Sequence, residues 1–343
     1  MKRLAIMLVL VCAAPIVRAG SPEEDWKAVV ALDAGPPGEP KTQDEARERA
    51  LGHLEKQERA LRAFLVGHAE DERAFEARLR LSRALQIRAD FTGDEKLRAD
   101  AMKLLVELDR TATPAQRVEV DFAKITALMR TLRQPTREQR EELLAEARKF
   151  QGDHPGDRRL ASLLAEVAAL FDMQPATKLA LLEDALPLAK DAELKSRIAD
   201  DLKRVRLFGK TLPLAGPTLQ GRKAGVEQLR GKPVLILFFA DFSPPSTAAL
   251  ASIQRAVADL GAGSVQVLCV SLDGKRDTVA ALLREMNVTW PVIFDGKGWE
   301  SPLIRELGIN ELPTVWLLDA KGRLRSLNAL EGTAAQVRQL LKE

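Results

Sequence analysis

Few side chains in this 343-residue sequence could carry out covalent chemistry. The chain has two cysteines, Cys12 and Cys269, and three histidines, His53, His68 and His154, and it has no tyrosine. Two cysteines exclude a disulfide-stapled scaffold and a cysteine-rich metal cluster. The histidines lack the close spacing of metal ligands, and we interpret each as a turn or surface residue. The sequence therefore predicts no metal site.

Cys269 is the thiol that remains if the N-terminal segment is removed. It lies within the apolar run Val265-Gln-Val-Leu-Cys-Val270, which is typical of a buried strand. Burial turns a thiol into a small, unreactive hydrophobe with a raised pKa. One thiol also cannot cycle as an intramolecular dithiol. We therefore interpret Cys269 as a core residue.

A second group of candidates is the segment Ser243-Pro244-Pro245-Ser246, which follows an apolar run and precedes a helical pattern. A serine nucleophile needs a base, usually histidine, and the second half of the chain has none. We therefore reject hydrolysis. The simpler prediction is that Ser243 caps the following helix and that the two prolines occupy its first turn, where a missing N–H costs nothing.

The elements that would position these residues alternate between strand and helix from Phe208 onward. Short apolar runs predict strands, and amphipathic segments predict helices. The strand-like segments are 233–239, 264–272, 290–294, 314–318 and 323–327, and the helical segments are 247–260, 278–286, 302–307 and 334–341. This order predicts an α/β domain with a mixed sheet.

Four landmarks in this half resemble the thioredoxin superfamily, in particular its TlpA-type and redoxin-like branches. They are Gly231-Lys-Pro-Val-Leu-Ile-Leu-Phe-Phe-Ala240, Asp273 after the second strand, Leu307-Gly-Ile-Asn-Glu-Leu-Pro-Thr-Val315 and Leu318-Asp-Ala-Lys-Gly-Arg323. The resemblance spans about residues 207–343. It implies a thioredoxin fold in which Pro313 is the cis-proline facing the active-site loop. A trans proline that starts an ordinary strand is the alternative.

The departure from the family pattern lies at the catalytic motif. Where the family has two cysteines separated by two residues, this chain has Ser243 and Ser246, and Pro245 matches the family proline. Thiol–disulfide exchange needs an attacking thiolate and a second, resolving thiol, and a serine hydroxyl supplies neither. Peroxidase chemistry of the redoxin branch also needs a cysteine in this loop. The resemblance thus implies a redox fold without its redox groups.

The first half follows a helical pattern from residue 44 to about 206, interrupted by glycine and proline. Phe64-Leu-Val-Gly-His-Ala-Glu-Asp71 is echoed by Phe150-Gln-Gly-Asp-His-Pro-Gly-Asp157. Such punctuation is typical of tetratricopeptide-like arrays, and an irregular helical bundle is the open alternative. We predict a flexible leader over 20–43, a helical domain over 44–206 and a thioredoxin-like domain over 207–343.

Residues 1–19 read as a signal peptide. A basic start, Met1-Lys2-Arg3, precedes an apolar run, and the small residues Val17 and Ala19 favour cleavage near Ala19. An uncleaved membrane anchor is the alternative. Cleavage would leave 49 basic and 49 acidic residues. A neutral mature protein gives no reason to expect nucleic acid or an anionic membrane as partner, and the 16 basic and 13 acidic residues of the second half agree.

These observations predict an exported, periplasmic or otherwise extracytoplasmic protein that lacks the redox dithiol. Our first hypothesis is a non-catalytic binding or assembly protein for a polypeptide partner, with no cofactor. Its binding residues would be Phe242, Leu312, Pro313 and Thr314, beside the degenerate motif Ser243 to Ser246. The alternative hypothesis is a thiol–disulfide oxidoreductase or redoxin-type antioxidant protein. Fold alone does not decide between them.

Overall fold

The structure is a computed structural model that describes residues 20–132, 135–261 and 263–343. The predicted signal peptide, residues 1–19, lies outside these ranges. The described chain divides into two compact units, the first ending at His154 and the second spanning Pro155–Glu343. The helices between 160 and 206 group with the sheet in the second unit. The domain boundary predicted at 206/207 stays a prediction.

The first unit is helical throughout. Its helices are α1 (Pro22–Ala31), α2 (Gln43–Gly67), α3 (Ala74–Thr92), α4 (Glu95–Thr111), α5 (Pro114–Thr131) and α6 (Arg137–Asp153), with a short 3₁₀ turn at Leu32–Ala34. The apolar stripes predicted at helical spacing lie in these helices and form their cores, as with Leu81 and Leu85 in α3. The helical reading of this half is confirmed, and the tetratricopeptide interpretation stays a prediction.

The segment 20–43, predicted as a flexible leader, contains α1. Ser21 begins this helix with a capping box, in which its Oγ accepts from Glu24 N–H at 3.2 Å and its N–H donates to the Glu24 carboxylate at 3.2 Å. Val29 is buried, and the Trp26 ring lies 5.1 Å from that of Phe64. The leader prediction rested on the glycines and prolines of the stretch 35–40, which lies after α1. The leader prediction was therefore wrong for residues 22–31.

The internal echo of the sequence corresponds to a repeated set of contacts. At the end of α2, the His68 ring lies 5.2 Å from the Phe64 ring, and His68 Nε2 lies 2.8 Å from Asp25 Oδ2. At the end of α6, the His154 ring lies 4.9 Å from the Phe150 ring. His154 Nε2 lies 2.9 Å from an Asp121 carboxylate oxygen. Both histidines thus close a helix end, as predicted.

His53 is placed differently from the other two histidines. It lies within α2 and not in a turn, and its Nε2 is buried without a hydrogen-bond partner among the described residues. The prediction of a turn or surface position was wrong for this residue, because position 53 lies in the interior of a 25-residue helix.

The second unit contains three helices followed by alternating strands and helices. They are α7 (Leu160–Ala169), α8 (Pro175–Leu188), α9 (Ala192–Arg206), β1 (Ala215–Pro217), β2 (Lys223–Gly225), β3 (Val234–Phe239), α10 (Pro244–Leu260), β4 (Gln266–Ser271), α11 (Arg276–Glu285), β5 (Val292–Ile293), α12 (Pro302–Leu307), β6 (Thr314–Leu318), β7 (Leu324–Ser326) and α13 (Thr333–Leu340). Short 3₁₀ turns lie at Val226–Leu229 and Gly298–Glu300. The alternating order confirms the predicted α/β class.

The sheet has five strands in the order β5-β4-β3-β6-β7. β3 pairs in parallel with β4, and β4 in parallel with β5, while β6 is antiparallel to both β3 and β7. The mixed sheet is thus as predicted. A separate hairpin of β1 and β2 was not predicted, because its three-residue strands carry no alternating pattern.

Both faces of the central strand are covered. Leu235, Leu237 and Phe239 face a core shared with α10, α11 and α13, while Ile236 and Phe238 face a second core that includes Trp316. Every residue of β3 is buried, which is why the sequence shows a continuous apolar run and not alternation. Within the described residues, no helix combines the length and the apolar composition needed to span a bilayer.

Candidate functional site

The site is assembled at one edge of the sheet. β3, β4 and β5 run parallel, so the loops that follow them meet at the same edge, and antiparallel β6 begins there. This topology places the segment Ser243 to Ser246, the Asp273 turn and the Leu312–Pro313 loop next to one another. In open α/β sheets, the carboxyl ends of the strands are the usual place for ligands.

The Ser243 to Ser246 segment forms the first turn of α10. Ser243 is the N-cap residue by backbone geometry, and Pro244 and Pro245 take the first two helical positions, as predicted. However, the Ser243 hydroxyl makes no capping hydrogen bond. The turn is closed by the backbone, since Ser246 N–H donates to Ser243 O at 2.8 Å and Ser243 N–H donates to Ala240 O at 3.2 Å. The predicted side-chain cap was therefore wrong.

Ser246 differs from Ser243 in its surroundings. Its side chain is fully buried, and its Oγ accepts a hydrogen bond from Ala240 N–H at 3.4 Å. This contact links the end of β3 to the first turn of α10. The hydroxyl thus has a structural partner and no neighbouring base among its described contacts.

Asp273 fixes the other side of the loop. Its buried carboxylate accepts from Asp241 N–H at 3.0 and 3.2 Å and from Ser271 Oγ at 2.8 Å. Burial raises the pKa of Asp273 above the ordinary value for aspartate, against the effect of these hydrogen bonds. The sequence singled out Asp273 only as a landmark of the resemblance. The structure shows that it holds the start of the loop.

The Leu312–Pro313 peptide bond is cis, which confirms the prediction. Pro313 directly precedes β6, and Thr314 Oγ1 donates to Glu311 O at 2.9 Å, which fixes the turn before the strand. Leu312 packs against the core that contains Trp316. The loop is therefore held in place from both sides of the cis bond.

Phe242 is an exposed apolar residue at this edge. Its side chain is 60% exposed, although large apolar groups favour burial. Trp299, in the 3₁₀ turn that follows β5, is 41% exposed at the same edge of the sheet. Sequence reasoning did not connect Trp299 with the site. The connection needs the strand order, because Trp299 lies far from Phe242 along the chain.

Cys269 lies in the middle of β4, away from this edge. It is fully buried, and burial raises the pKa of its thiol to about 12. It is paired in register with Leu237 on β3 and Val292 on β5. The thiol is thus protonated at neutral pH and shielded from solvent, which confirms its interpretation as a core residue.

A groove of about 940 Å³ opens beside the site within the second unit. Of the eight predicted site residues, all of which the structure describes, Pro245, Pro313 and Thr314 line it. Its volume falls at the upper end of the range of ligand pockets, roughly 300–1,000 Å³. No group of three His, Cys, Asp or Glu side chains in the described part of the chain could hold a metal ion.

Part of this chain is similar to known proteins. Residues 209–327 match the family described as AhpC/TSA. The "Thioredoxin-like protein YneN" of Bacillus subtilis is 28% identical over 127 residues, which cover 36% of this chain and 72% of that protein. The "Thiol-disulfide oxidoreductase ResA" of Oceanobacillus iheyensis is 28% identical over 102 residues, which cover 30% of this chain and about half, 52%, of that protein.

Several solved structures are similar to part of this chain. A thiol–disulfide oxidoreductase from Bacteroides fragilis superposes with a TM-score of 0.34 and 21% identity, covering 38% of this chain and 98% of that one. The "putative Thiol:disulfide interchange protein DsbE from Chlorobium tepidum" gives a TM-score of 0.35 and 24% identity, with coverage of 39% of this chain and 96% of that one. The match to the AhpC/TSA family, the order of the strands and the cis bond before β6 agree with the thioredoxin fold that the resemblance implied for this half of the chain, and Ser243 and Ser246 lie within the matched residues 209–327.

Proposed function

We propose that this protein binds a polypeptide partner at the Ser243 to Ser246 edge without redox catalysis. One observation carries the proposal: the two positions that the resemblance equates with the family's cysteines hold serine, and Cys269, the only cysteine in the described residues, is buried in β4. Exchange requires a thiolate that attacks a disulfide sulfur and a thiol that resolves the product. A hydroxyl cannot form a reducible bond, so the substitution removes the reaction itself.

Binding of a peptide requires a surface of suitable shape but no reactive thiol. The cis-Pro loop is in place, Phe242 is exposed beside it, and a groove lined by Pro245 and Pro313 leads away from it. An exposed aromatic side chain next to a groove is a usual anchor for a protein partner, because aromatic rings bury much area for little lost rotamer entropy. The surface that would hold an extended peptide is therefore present without the reactive atoms.

Thiol–disulfide oxidoreductase activity is the second candidate. It is favoured by the names of relatives such as ResA of Oceanobacillus iheyensis. In this chain such activity would have to use Cys269, whose pKa of about 12 leaves almost no thiolate at neutral pH. The two candidates thus make opposite predictions for Cys269, which takes part in catalysis under the second candidate and not under the first.

We also propose that the protein acts outside the cytoplasm. The support is the basic start, the apolar run and the small residues Val17 and Ala19 of the N-terminal segment. An oxidising compartment would convert a surface dithiol to a disulfide. Serines at positions 243 and 246 cannot undergo this oxidation.

Two measurements test the proposal. Insulin reduction by the purified protein with dithiothreitol should not exceed the rate of dithiothreitol alone, and turnover that disappears in Cys269→Ser would overturn the non-catalytic assignment. A photoreactive amino acid at Phe242 should crosslink to polypeptides in an extract of the native extracytoplasmic fraction. The same group at Leu341, which is 49% exposed at the end of α13, is the matched control. Equal labelling at both positions would contradict binding at this edge.

A further inference from the structure

The groove extends well beyond the predicted site. One wall is α10, which contributes Pro245, Ala248 and Arg255, and the facing wall comes from α7 and α9. These facing helices lie between 160 and 206, before the family match at 209–327 begins. The second wall is thus an addition of this chain to the thioredoxin-fold domain, and it shapes what the groove can hold.

The length of the groove follows from the helix that lines it. Pro245 and Arg255 are ten residues apart on α10, which is about 15 Å at 1.5 Å per residue. An extended chain rises about 3.3 Å per residue, so four to five residues span this distance. Small side chains, including Ala165 and Ala169 on α7 and Ala248 and Ser252 on α10, leave the space between the helices open.

The cations of the groove fall into two classes. Lys178 pairs with Asp172, and Arg204 pairs with Asp201 and also donates to Asn310 Oδ1 in the loop before Pro313. These pairs are internal and need no ligand. Arg204 also ties α9 to the cis-Pro side of the groove, because it donates to Gly308 O at 2.6 Å.

Arg197 and Arg255 form the other class. Both line the groove and are exposed, and neither has an ion-pair partner among the described residues. Arg197 lies seven residues before Arg204 on α9, which is about 10 Å along the helix. Arg197 and Arg255 lie on facing walls of the groove. They are about 10 Å and about 15 Å, respectively, along their helices from the cis-Pro end of the groove. Each guanidinium can form bidentate hydrogen bonds with a carboxylate.

The groove also holds carboxylates without ion-pair partners among the described residues. Glu166 lies on α7, Glu311 directly precedes the Leu312–Pro313 bond, and Glu331 precedes α13. Charges of both signs therefore remain unpaired along one groove. An apolar occupant would desolvate them without replacing their hydrogen bonds to water, which is costly. An occupant with charges of both signs would pair them.

We propose that this groove binds an extended, hydrophilic stretch of polypeptide that carries both acidic and basic side chains. The proposal rests on the proposed function, since it takes the Pro313 edge as the place where the peptide enters. Four to five residues of the peptide lie between α10 and the α7–α9 wall. Arg197 and Arg255 contact its acidic side chains, and Glu166 and Glu331 contact its basic ones.

The test uses four fluorescein-labelled twelve-residue peptides on an alanine–serine background, with the purified full chain. The first carries Glu and Lys, the second only Glu, the third only Lys, and the fourth Leu and Val. Fluorescence anisotropy should give the tightest binding for the first peptide. Its Kd should rise about fivefold between low and high salt, because exposed ion pairs are screened. Tightest binding of the Leu/Val peptide, or binding insensitive to salt, would overturn the proposal.

Variants with matched controls separate the two signs of charge. R197A/R255A should weaken binding of the Glu-only peptide about fivefold, as expected for the loss of two exposed pairs. R206A, also on α9 but outside the groove lining, should leave it unchanged. E166Q/E331Q should weaken binding of the Lys-only peptide. E183Q on α8 is the control. Equal effects of groove variants and controls would contradict the assignment.

The proposed function can fail or survive separately from this proposal. If Phe242→Ala weakens all four peptides equally while the groove variants have no effect, polypeptide binding stands and the groove assignment falls. If no peptide binds and the photoreactive group at Phe242 labels nothing above its Leu341 control, both fall. If R197A/R255A acts while Phe242→Ala does not, the groove binds peptide but the predicted site is wrong.

Discussion

The two sides of the candidate site differ in how closely they match the pattern that the resemblance implied. On the β6 side, the backbone has the cis Leu312–Pro313 bond that the resemblance implied. On the β3 side, α10 begins at the expected place, with prolines in its first turn, but its Ser243 and Ser246 carry oxygen where exchange chemistry needs sulfur. The scaffold is present on both sides and the reactive atoms are missing on one.

This difference shows that binding and catalysis depend on different properties of the same fold. A peptide is held by backbone shape and by a groove, which many sequences can produce. Exchange depends on the acidity and bonding of one sulfur atom. Replacement of two atoms can therefore remove the reaction while leaving the surface intact, which is why a fold does not establish an activity.

The largest expected effect comes from restoring sulfur. In a Cys269→Ser background, Ser243→Cys with Ser246→Cys should produce a dithiol that oxidises to a disulfide and reduces insulin above the dithiothreitol background. The α10 N-terminus would lower the pKa of the first thiol. Thiol titration before and after mild oxidation measures the disulfide.

The single variant Ser243→Cys in the same background is the control, because one thiol cannot close an intramolecular disulfide. If the double variant folds but both thiols stay titratable after oxidation, the assignment of these positions to the dithiol motif is wrong.

The next effect concerns the residue that holds the loop. Asp273→Ala leaves Asp241 N–H and the Ser271 hydroxyl without their buried acceptor, and should lower the free energy of unfolding by about 1–3 kcal/mol. Urea unfolding measures the change. Asp273→Asn keeps a carbonyl acceptor at the same place, so its loss should be smaller; an equal loss would mean that the negative charge, and not the acceptor, is required.

The buried carboxyl group of Asp273 should also make the stability of the fold depend on pH. Its folded-state pKa is raised above 3.8, so its contribution to stability is greatest below that value and decreases as the pH rises through the raised pKa. The free energy of unfolding of the wild-type protein, relative to Asp273→Asn, should therefore fall as the pH rises above the ordinary aspartate pKa of about 4. A difference that rises over this range would contradict the raised pKa.

The smallest effects separate the two serines. Ser246→Ala removes a buried acceptor of Ala240 N–H and should cost about 0.5–1.5 kcal/mol in thermal or urea unfolding. Ser243→Ala should cost less than about 0.5 kcal/mol, because its hydroxyl makes no capping bond. Asp191→Ala at the start of α9 is the control, since that side chain caps Leu194 N–H at 2.8 Å and should cost about 1 kcal/mol.

Much of the fold could be predicted from the sequence because the relevant signals are local. α12 and β6 have the predicted bounds, 302–307 and 314–318, and the other core strands of the sheet lie within their predicted segments. Buried strands give continuous apolar runs, and amphipathic helices give stripes. The failures were also local: α1 was missed because glycines and prolines follow it closely, and the β1–β2 hairpin was missed because it is short.

The sequence by itself determined that serine stands at positions 243 and 246 and predicted the cis-Pro loop, because both depend on residue types at fixed positions in a recognisable pattern. Only the tertiary structure decided that Asp273 holds the loop, that Trp299 shares an edge with Phe242 and that α7 and α9 face α10 across a groove. These relations join residues far apart along the chain. They depend on strand order and helix packing, which no local pattern of side chains encodes.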